Sequence, residues 1–299
     1  MEGVEIYTRA GRGMYAGFGD CEEGAEMNRI EVFNDHFQNS KKYGIPKAQL
    51  LIADIPYNVG INAYGSNPSW YEGGDRENGE SKLAGKAFFN TDERFKIPEF
   101  FHFCSRMLKK EPKEKNTAPC MIVFCSFEQQ FELIKHAKEN GFNHYINLVF
   151  RKNFSPQVLK ANMRIVGNSE YAVVLYRDKL PKFRNGGNMV FNCMHWTRDT
   201  VTPKIHPTQK PVKLLERLIE IFTDENDVVI DPVAGSGTTL LAAKNLGRRA
   251  YGFEIMKQMC KDANEQILTL SEPSLFNEGI KVYKPKSIIQ ANLIKEDVL

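Results

Sequence analysis

The sequence has few cysteines, and none of them is spaced as in a metal-binding site. Its 299 residues include 6 cysteines without any Cys-x-x-Cys pair, which argues against a zinc site and against a disulfide framework. His195 and His206 also have no partner at metal-ligand spacing. We therefore expect no bound metal and a reducing, cytoplasmic setting.

Long apolar runs are missing as well. No stretch reaches the roughly 18 apolar residues that span a membrane, and the opening MEGVEIYTRAGRG has no apolar core like that of a signal peptide. The net charge is only +3, so overall charge does not indicate a polyanionic partner. The length and apolar content suit one α/β domain with appendages.

The most informative stretch follows the apolar run Val228–Ile230, which is typical of a parallel strand buried on both faces. Asp231 and Pro232 end this strand. Gly235–Gly237 then predicts a tight turn where backbone approaches a ligand closely. A helix over Thr238–Leu246 is expected next, with glycine following it as a stop signal.

Two features that the glycine turn lacks exclude two classes of ligand. No lysine follows its last glycine, as it would in a phosphate-binding Walker loop, and the third glycine of a dinucleotide fingerprint is missing. A strand over Arg249–Phe253 delivers Glu254 about twenty residues after the turn, the spacing at which a ribose diol is held. The pattern favours a nucleoside without pyrophosphate, such as S-adenosylmethionine. An ordinary α/β turn is the alternative.

A second candidate site follows the apolar run Leu50–Ala53. Asp54 and the Ile55 carbonyl are hydrogen-bond acceptors, Tyr57 is a flat stacking surface, and Pro56 restricts the backbone between them. Residues at the carboxyl end of a parallel strand face the ligand crevice of an open α/β sheet. Two acceptors beside an aromatic ring suit the exocyclic amine of an extruded base. A strand end followed by a proline turn is the alternative.

The remaining chain alternates strands and helices, which predicts a doubly wound α/β sheet. We expect further strands at Arg29–Phe33, Cys120–Cys125, His144–Phe150 and Glu170–Tyr176, and helices at 37–43, 97–108, 127–139, 212–222 and 256–270. The predicted catalytic domain covers residues 30–270 and contains a loop insertion at 60–98. Residues 1–29 form an N-terminal arm and 271–299 a C-terminal tail.

Basic residues interleaved with aromatic ones follow the fifth strand, from Arg177 to Arg217. Such a strip is typical of a phosphate-contacting surface, although a solvated loop has the same composition. Within it, HPTQKP at 206–211 precedes a helix. We expect Thr208 or Gln209 to cap that helix, whose N-terminus would receive a carboxylate such as that of the cofactor's methionine.

Together these motifs resemble the β-group DNA amino-methyltransferases, whose chain is circularly permuted relative to other S-adenosylmethionine methyltransferases. The resemblance covers residues 28–266 and includes the order of the motifs. In that order they are Asn34-Asp35, similar to a Gly-Asp element; Asp54-Ile55-Pro56-Tyr57, similar to Asp-Pro-Pro-Tyr; HPTQKP at 206–211; DPVAGSGTT at 231–239; and YGFEI at 251–255.

The resemblance implies a Rossmann-like methyltransferase sheet that is mostly parallel with one antiparallel strand. It implies that Asp54 and the Ile55 carbonyl accept hydrogen bonds from the target amine and that Tyr57, after Pro56, stacks on the base. The residues implied to bind the cofactor are Asp35, Asp54, Thr208, Lys210, Asp231, Pro232, Ala234, Gly235, Ser236, Gly237, Thr238 and Glu254. Those expected to contact DNA are Arg151, Lys152, Lys182, Arg184, His195, Trp196 and Arg198.

The function implied is methyl transfer from S-adenosylmethionine to N6 of adenine in DNA after base flipping. N4-cytosine methylation is the first alternative. The second is a degenerate methylase-like protein that binds nucleic acid without catalysis, suggested by Ile55 in place of the usual proline and Val233 in place of the usual phenylalanine. The target-recognition segment, 178–205, is short. DNA is the expected partner, a homodimer is compatible with the sequence, and a restriction endonuclease partner is unknown.

Overall fold

A single mixed sheet of eight strands organises the chain. The computed structural model describes residues 29–57, 95–153, 157–160, 165–206 and 208–270. In these residues the sheet contains, in spatial order, β1 (Ile30–Phe33), β10 (Arg249–Phe253), β9 (Val228–Asp231), β2 (Leu50–Asp54), β3 (Cys120–Cys125), β7 (Ser169–Tyr176), β4 (His144–Lys152) and β8 (Cys193–Trp196); β5 (Gln157–Lys160) and β6 (Ile165–Gly167) form a separate two-stranded hairpin. Within the sheet, β7 runs antiparallel to both of its neighbours and the other pairs are parallel. The predicted mostly parallel sheet with one antiparallel strand is confirmed.

The α-helices are α1 Ile97–Met107, α2 Gln129–Glu139, α3 Val212–Phe222, α4 Thr238–Asn245 and α5 Lys257–Asp262. A 3-10 helix covers Phe37–Tyr43, and a π-helical turn, Ala263–Ile267, follows α5.

Helices cover both faces of the sheet, as a doubly wound fold requires. On one face α3 and α4 pack on alternate residues of the central strands, including Ile52 and Ile122. On the other face α1, α2 and the 3-10 helix pack on the residues between them, including Leu51 and Met121. The apolar runs predicted as strands are therefore buried on both sides, which is why they lack an alternating polar pattern.

Two elements were not predicted. The hairpin β5–β6 follows β4, and β8 lies inside the stretch expected to be a target-recognition loop, where it pairs in parallel with β4 and forms an edge of the sheet. The predicted helix over 256–270 is also shorter, because α5 gives way to the π-helical turn. Residues 1–28 of the predicted arm at 1–29, the tail at 271–299 and most of the 60–98 loop lie outside the described residues. Among the described helices, none is long and apolar enough to cross a membrane.

Candidate active site

The two predicted ligand motifs meet at one edge of the sheet. β2 ends at Asp54 and β9 ends at Asp231, and these strands are parallel neighbours. Their ladder contains only the pairs Leu50–Val229 and Leu51–Ile230, so the strands separate before they end. A crevice between the carboxyl ends of two parallel strands is the usual ligand position in such sheets. The ends of the two predicted motifs are thus neighbours at one edge of the sheet.

The loop after β9 presents backbone to this crevice. Asp231 anchors the loop by accepting the Val233 N–H on Oδ1 at 3.0 Å. Gly235 and Gly237 have φ of +50° and +77°, a region that side chains with a Cβ rarely adopt. Gly237 also begins α4 without a side-chain cap. Four other predicted cofactor residues are buried in this loop and the first turn of α4: Pro232, Ala234, Ser236 and Thr238.

Glu254 closes the loop from the neighbouring strand. It directly follows β10, and its Oε2 accepts the Gly235 N–H at 3.0 Å while Oε1 accepts the Met256 N–H at 2.6 Å. Asn34 Nδ2 donates to the Glu254 carbonyl at 2.9 Å. Each carboxylate oxygen has a second lone pair available to a ligand hydroxyl. The geometry therefore suits the ribose role that the sequence predicts for Glu254.

Acidic side chains are concentrated at this edge of the sheet. Burial, together with the nearby carboxylates of Asp54 and Glu254, raises the pKa of Asp231 to about 7, although hydrogen bonds from Thr239 and Val233 oppose the shift. Burial also raises the pKa of Glu254. Carboxylates with raised pKa values gain stability from a nearby positive charge. A cationic ligand is therefore favoured here.

Lys210, from the HPTQKP segment, lies against Asp54. Its Nζ donates to Asp54 Oδ2 at 2.6 Å; the lysine side chain is 5% exposed and the aspartate side chain 31%. Oδ1 of Asp54 is buried without a hydrogen-bond partner in the part of the chain that the structure describes. A buried acceptor left unpaired costs about 1–3 kcal/mol. A donor from a bound molecule would remove that cost.

The two residues act on each other's titration. Burial raises the pKa of Asp54, and the positive charge of Lys210 opposes that shift. Burial alone would lower the pKa of Lys210, but the charges of Asp54 and Glu170 raise it above its ordinary value. Lys210 is therefore a permanent cation in this site.

The residues after Asp54 are held by the core and by α2. The Ile55 side chain is 1% exposed and belongs to the apolar cluster on the α1 and α2 face of the sheet. Gln129 Nε2 donates to the Pro56 carbonyl at 2.7 Å, and the Tyr57 hydroxyl donates to Glu170 at 3.4 Å. The departure from the family motif at Ile55 is thus absorbed by core packing.

Glu170 is a site residue that sequence reasoning missed. It is the second residue of β7, whose antiparallel direction brings its start to the edge where β2 and β3 end. Its carboxylate pairs with Lys152 and, at 3.3 Å, with Lys210. The sequence predicts Glu170–Tyr176 as a strand, and its apolar pattern gives no sign that the first residue of that stretch is functional.

Asp35 lies on the same edge, after β1, but its carboxylate is already engaged. Oδ1 accepts the His36 N–H at 2.8 Å and Asn39 Nδ2 at 2.6 Å, and Oδ2 accepts the Tyr43 hydroxyl at 2.8 Å and Lys42 Nζ at 3.1 Å. The bonds from Asn39 and Tyr43 hold the pKa of Asp35 far below its usual range. This carboxylate organises the 3-10 helix, and its contact with the cofactor stays a prediction.

The start of α3 differs from the prediction. Neither Thr208 nor Gln209 caps it: the Val212 N–H donates to Asp199 Oδ2 at 3.2 Å, and the Gln209 side chain turns back to the Pro203 carbonyl at 2.9 Å. A protein carboxylate already occupies this helix N-terminus, so it is poorly placed to receive the cofactor's carboxylate. The Thr208 hydroxyl lies 3.0 Å from His206 Nδ1.

The residues expected to contact DNA fall into three groups. Arg151 and His195 are exposed partners in the β4–β8 register, and Arg198 is exposed just after β8. They lie at the crevice edge of the sheet, as the prediction requires, and their contact with DNA is untested. Lys152 and Trp196 are at the same edge but point into the protein, where the Lys152 ammonium lies 5.0 Å from the centre of the buried Trp196 ring.

Lys182 and Arg184 require a correction. They follow the carboxyl end of the antiparallel strand β7 and therefore lie at the opposite edge of the sheet. Lys182 is buried between Asp224 (2.7 Å) and Asp227 (2.6 Å), and Arg184 pairs with Asp224 at 2.7 Å. These ion pairs hold the connection between β7 and β8 against the start of β9, far from the crevice. The basic strip is thus split between two edges of the sheet, and these two residues lie at the edge opposite Arg151 and His195.

Comparison with known proteins places this geometry among methylases. The N6/N4 family model described as DNA methylase matches residues 48–265. The type II methyltransferase M2.DpnII of Streptococcus pneumoniae is 28% identical over 80% of this chain and 89% of its own length. The DNA adenine methyltransferase YhdJ of Escherichia coli K12 is 26% identical over 86% of this chain and 88% of its own. The solved M1.HpyAVI–SAM complex has the same fold, with a TM-score of 0.57 and 23% identity over 81% of this chain and 100% of its own.

Proposed function

The chain belongs to the N6/N4 DNA methylase family, and from that premise we propose that it transfers a methyl group from S-adenosylmethionine to N6 of adenine in DNA. The observation that carries the proposal is the position of Asp54. Its buried Oδ1 has no hydrogen-bond partner among the described residues, and Asp54 ends β2, the parallel neighbour of the strand that leads into the glycine loop. An amine N–H is the donor that this oxygen lacks.

The residues present fit S-adenosylmethionine. When bound, this cofactor supplies an electrophilic methyl group on a positively charged sulfur. The Glu254 carboxylate is placed to accept the ribose hydroxyls, and the Gly235–Gly237 backbone allows close approach of the nucleoside. Asp231 and Glu254, whose pKa values burial raises, favour a cationic ligand. No phosphate-binding lysine follows the last glycine.

Asp54 and Tyr57 would prepare the amine. The lone pair of an exocyclic amine is delocalised into the base, and a hydrogen bond from its N–H to Asp54 favours a more pyramidal nitrogen. In the transfer, the new C–N bond forms as the C–S bond breaks, S-adenosylhomocysteine is the leaving group, and the methylated nitrogen releases one proton to solvent. Orientation of this kind contributes about 7–11 kcal/mol in well-aligned reactions. Tyr57 would stack on the extruded base, which offsets part of the few kcal/mol needed for flipping.

Adenine is favoured over cytosine by the residue at position 54. The cytosine methyltransferases of the family more often have serine where this chain has Asp54. The relative YhdJ is named an adenine methyltransferase. N4 of cytosine is the alternative target, because the family covers both amines. Nucleoside analysis of digested product separates the two: N6-methyladenine supports the proposal, and N4-methylcytosine replaces it.

The direct test is transfer of labelled methyl groups from S-adenosylmethionine to unmethylated plasmid DNA. We expect Asp54→Ala to abolish transfer while the protein still binds S-adenosylmethionine through the glycine loop and Glu254. Glu139→Ala, which changes an exposed residue at the end of α2, serves as the control and should retain activity. A wild-type protein that binds DNA but transfers no label would instead be the degenerate binding protein that Ile55 and Val233 suggested.

A further inference from the structure

Glu170 is at the centre of a series of charged side chains next to Asp54 and Tyr57. Its Oε1 accepts from Lys152, and its Oε2 lies 3.3 Å from Lys210 Nζ and 3.4 Å from the Tyr57 hydroxyl. Lys210 continues the series to Asp54 Oδ2. Glu170 therefore contacts both residues proposed to handle the target base, Tyr57 directly and Asp54 through Lys210.

In this series of side chains, the positive and negative charges are equal in number only when Glu170 is present. Lys152 and Lys210 are two buried or nearly buried cations, and Asp54 and Glu170 are their two carboxylate partners. Although burial alone would raise the pKa of Glu170, the two lysines hold it below its ordinary value, so Glu170 is ionised. Without it, two cations would share the single carboxylate of Asp54, at a cost that buried charges rarely tolerate.

This arrangement also decides which Asp54 oxygen faces the substrate. Lys210 is fixed between Glu170 and Asp54, with aromatic rings around its ammonium: the centres of Phe124, Tyr57 and Trp196 lie 5.3, 5.4 and 5.6 Å away. A lysine held in this way occupies Oδ2 and leaves Oδ1 unpaired.

We propose that Glu170 is a positioning residue for methyl transfer: it holds Lys210 on Oδ2 of Asp54 and Tyr57 beside it, so that Oδ1 is presented to the target amine. The inference rests on the proposed function of the same site. It assigns a role to a residue that does not itself touch the substrate, the cofactor or the reacting atoms.

An electrostatic consequence separates this role from a purely structural one. Asp54 must be ionised to accept the amine, and the charge of Glu170 raises the pKa of Asp54. Replacing Glu170 with neutral glutamine should therefore lower that pKa. The titratable groups that interact electrostatically or by hydrogen bonding with Asp54 are Tyr57, Cys125, Glu170, Lys210 and Asp231.

The experiment measures methylation rate against pH for the wild type, Glu170→Gln, Glu170→Asp and the control Glu139→Gln, which removes an exposed carboxylate at the far end of α2. We expect Glu170→Gln to lower kcat about tenfold to a hundredfold, as small misplacements of reacting groups do. The acid limb of its pH–rate profile, where the rate falls as Asp54 is protonated, should move to lower pH. Its KM for S-adenosylmethionine should change little. Glu170→Asp keeps the charge, so its acid limb should stay near that of the wild type. Glu139→Gln should match the wild type in both respects.

A second readout does not depend on activity. Carbon-13 labelling of aspartate carboxyl carbons, with Asp54 assigned by loss of its signal in Asp54→Asn, gives the titration of Asp54 directly. A lower pKa in Glu170→Gln supports the inference. Wild-type activity in Glu170→Gln, or an unmoved acid limb together with an unmoved Asp54 titration, overturns it. If the wild-type protein methylates no DNA, the proposed function is wrong, and the role of Glu170 is wrong with it. That outcome differs from failure of the Glu170 role alone, because every variant is then inactive.

Discussion

Lys210 Nζ lies 2.6 Å from Asp54 Oδ2, although 156 positions separate the two residues in the chain. The contact joins the segment that begins α3 to the end of β2, and it links two motifs that the sequence shows only as separate elements. Because the lysine is almost fully buried, its charge must be compensated inside the protein. The same contact therefore serves both stability and the proposed chemistry.

Removing the cation should destabilise the protein and impair methyl transfer. In Lys210→Met the carboxylates of Asp54 and Glu170 lose the ammonium they share, and we expect the free energy of unfolding to fall by about 2–3 kcal/mol, less than for a fully buried pair because Asp54 is partly exposed. Denaturant unfolding measures this loss. The double variant Lys210→Met/Glu170→Gln restores the charge balance and should recover part of the stability. Additive losses in the double variant would show that the two charges are not coupled.

The sheet and its crevice could be predicted because they follow from local patterns. Runs such as CMIVFC at 120–125 and VVI at 228–230 contain no alternating polar residues, so burial on both faces was the only consistent interpretation. Polar residues placed directly after such runs, at Asp54 and Asp231, then had to share the carboxyl edge. Chain order alone was sufficient for this part of the site.

The remaining features depend on strand direction and on which face a side chain occupies. Glu170 joins the site only because β7 runs antiparallel, and for the same reason Lys182, beyond its other end, lies at the opposite edge. Trp196 was expected to contact DNA, but alternation along β8 turns it inward while His195 is exposed. Composition showed a basic, aromatic strip and could not show that the fold divides it.

Stability should depend on pH through Asp231. Its pKa is raised from an ordinary 3.8 to about 7, so the folded protein binds a proton more tightly than the unfolded chain does. This contribution is fully present below about pH 4 and is lost as pH rises toward 7, a decrease of about 4 kcal/mol for a shift of this size. We expect the unfolding free energy of Asp231→Asn, measured without cofactor, to fall less between pH 4 and 7 than that of the wild type. Parallel pH dependences would contradict the assignment.

Gly252 should be needed for the position of the cofactor loop. A Cβ at this residue would lie 2.8 Å from Ala234 Cβ and 2.9 Å from Leu240 Cδ1, closer than packed atoms allow. Gly252→Ala should cost about 1–3 kcal/mol of stability through overpacking. It should also weaken S-adenosylmethionine binding, because Ala234 precedes Gly235 in the loop. The compensating variant Ala234→Gly/Gly252→Ala removes the shorter contact and should recover binding, measured by calorimetry; an equal loss in both variants would contradict this explanation.

The division of the basic strip between two edges predicts unequal effects of two exposed arginines on DNA binding. Arg151 lies at the crevice edge beside His195, whereas Arg184 lies at the opposite edge and pairs with Asp224. Arg151→Ala should weaken binding to DNA of any sequence and reduce the slope of log affinity against log salt by about 1, as loss of one phosphate contact does. Arg184→Ala removes the same charge from the protein, and its exposed ion pair contributes at most about 1 kcal/mol to folding, so it is a matched control. Fluorescence anisotropy with a labelled duplex over a range of salt concentrations compares the two. If both substitutions weaken binding equally, net charge alone governs the affinity and the crevice edge is not the surface that DNA contacts.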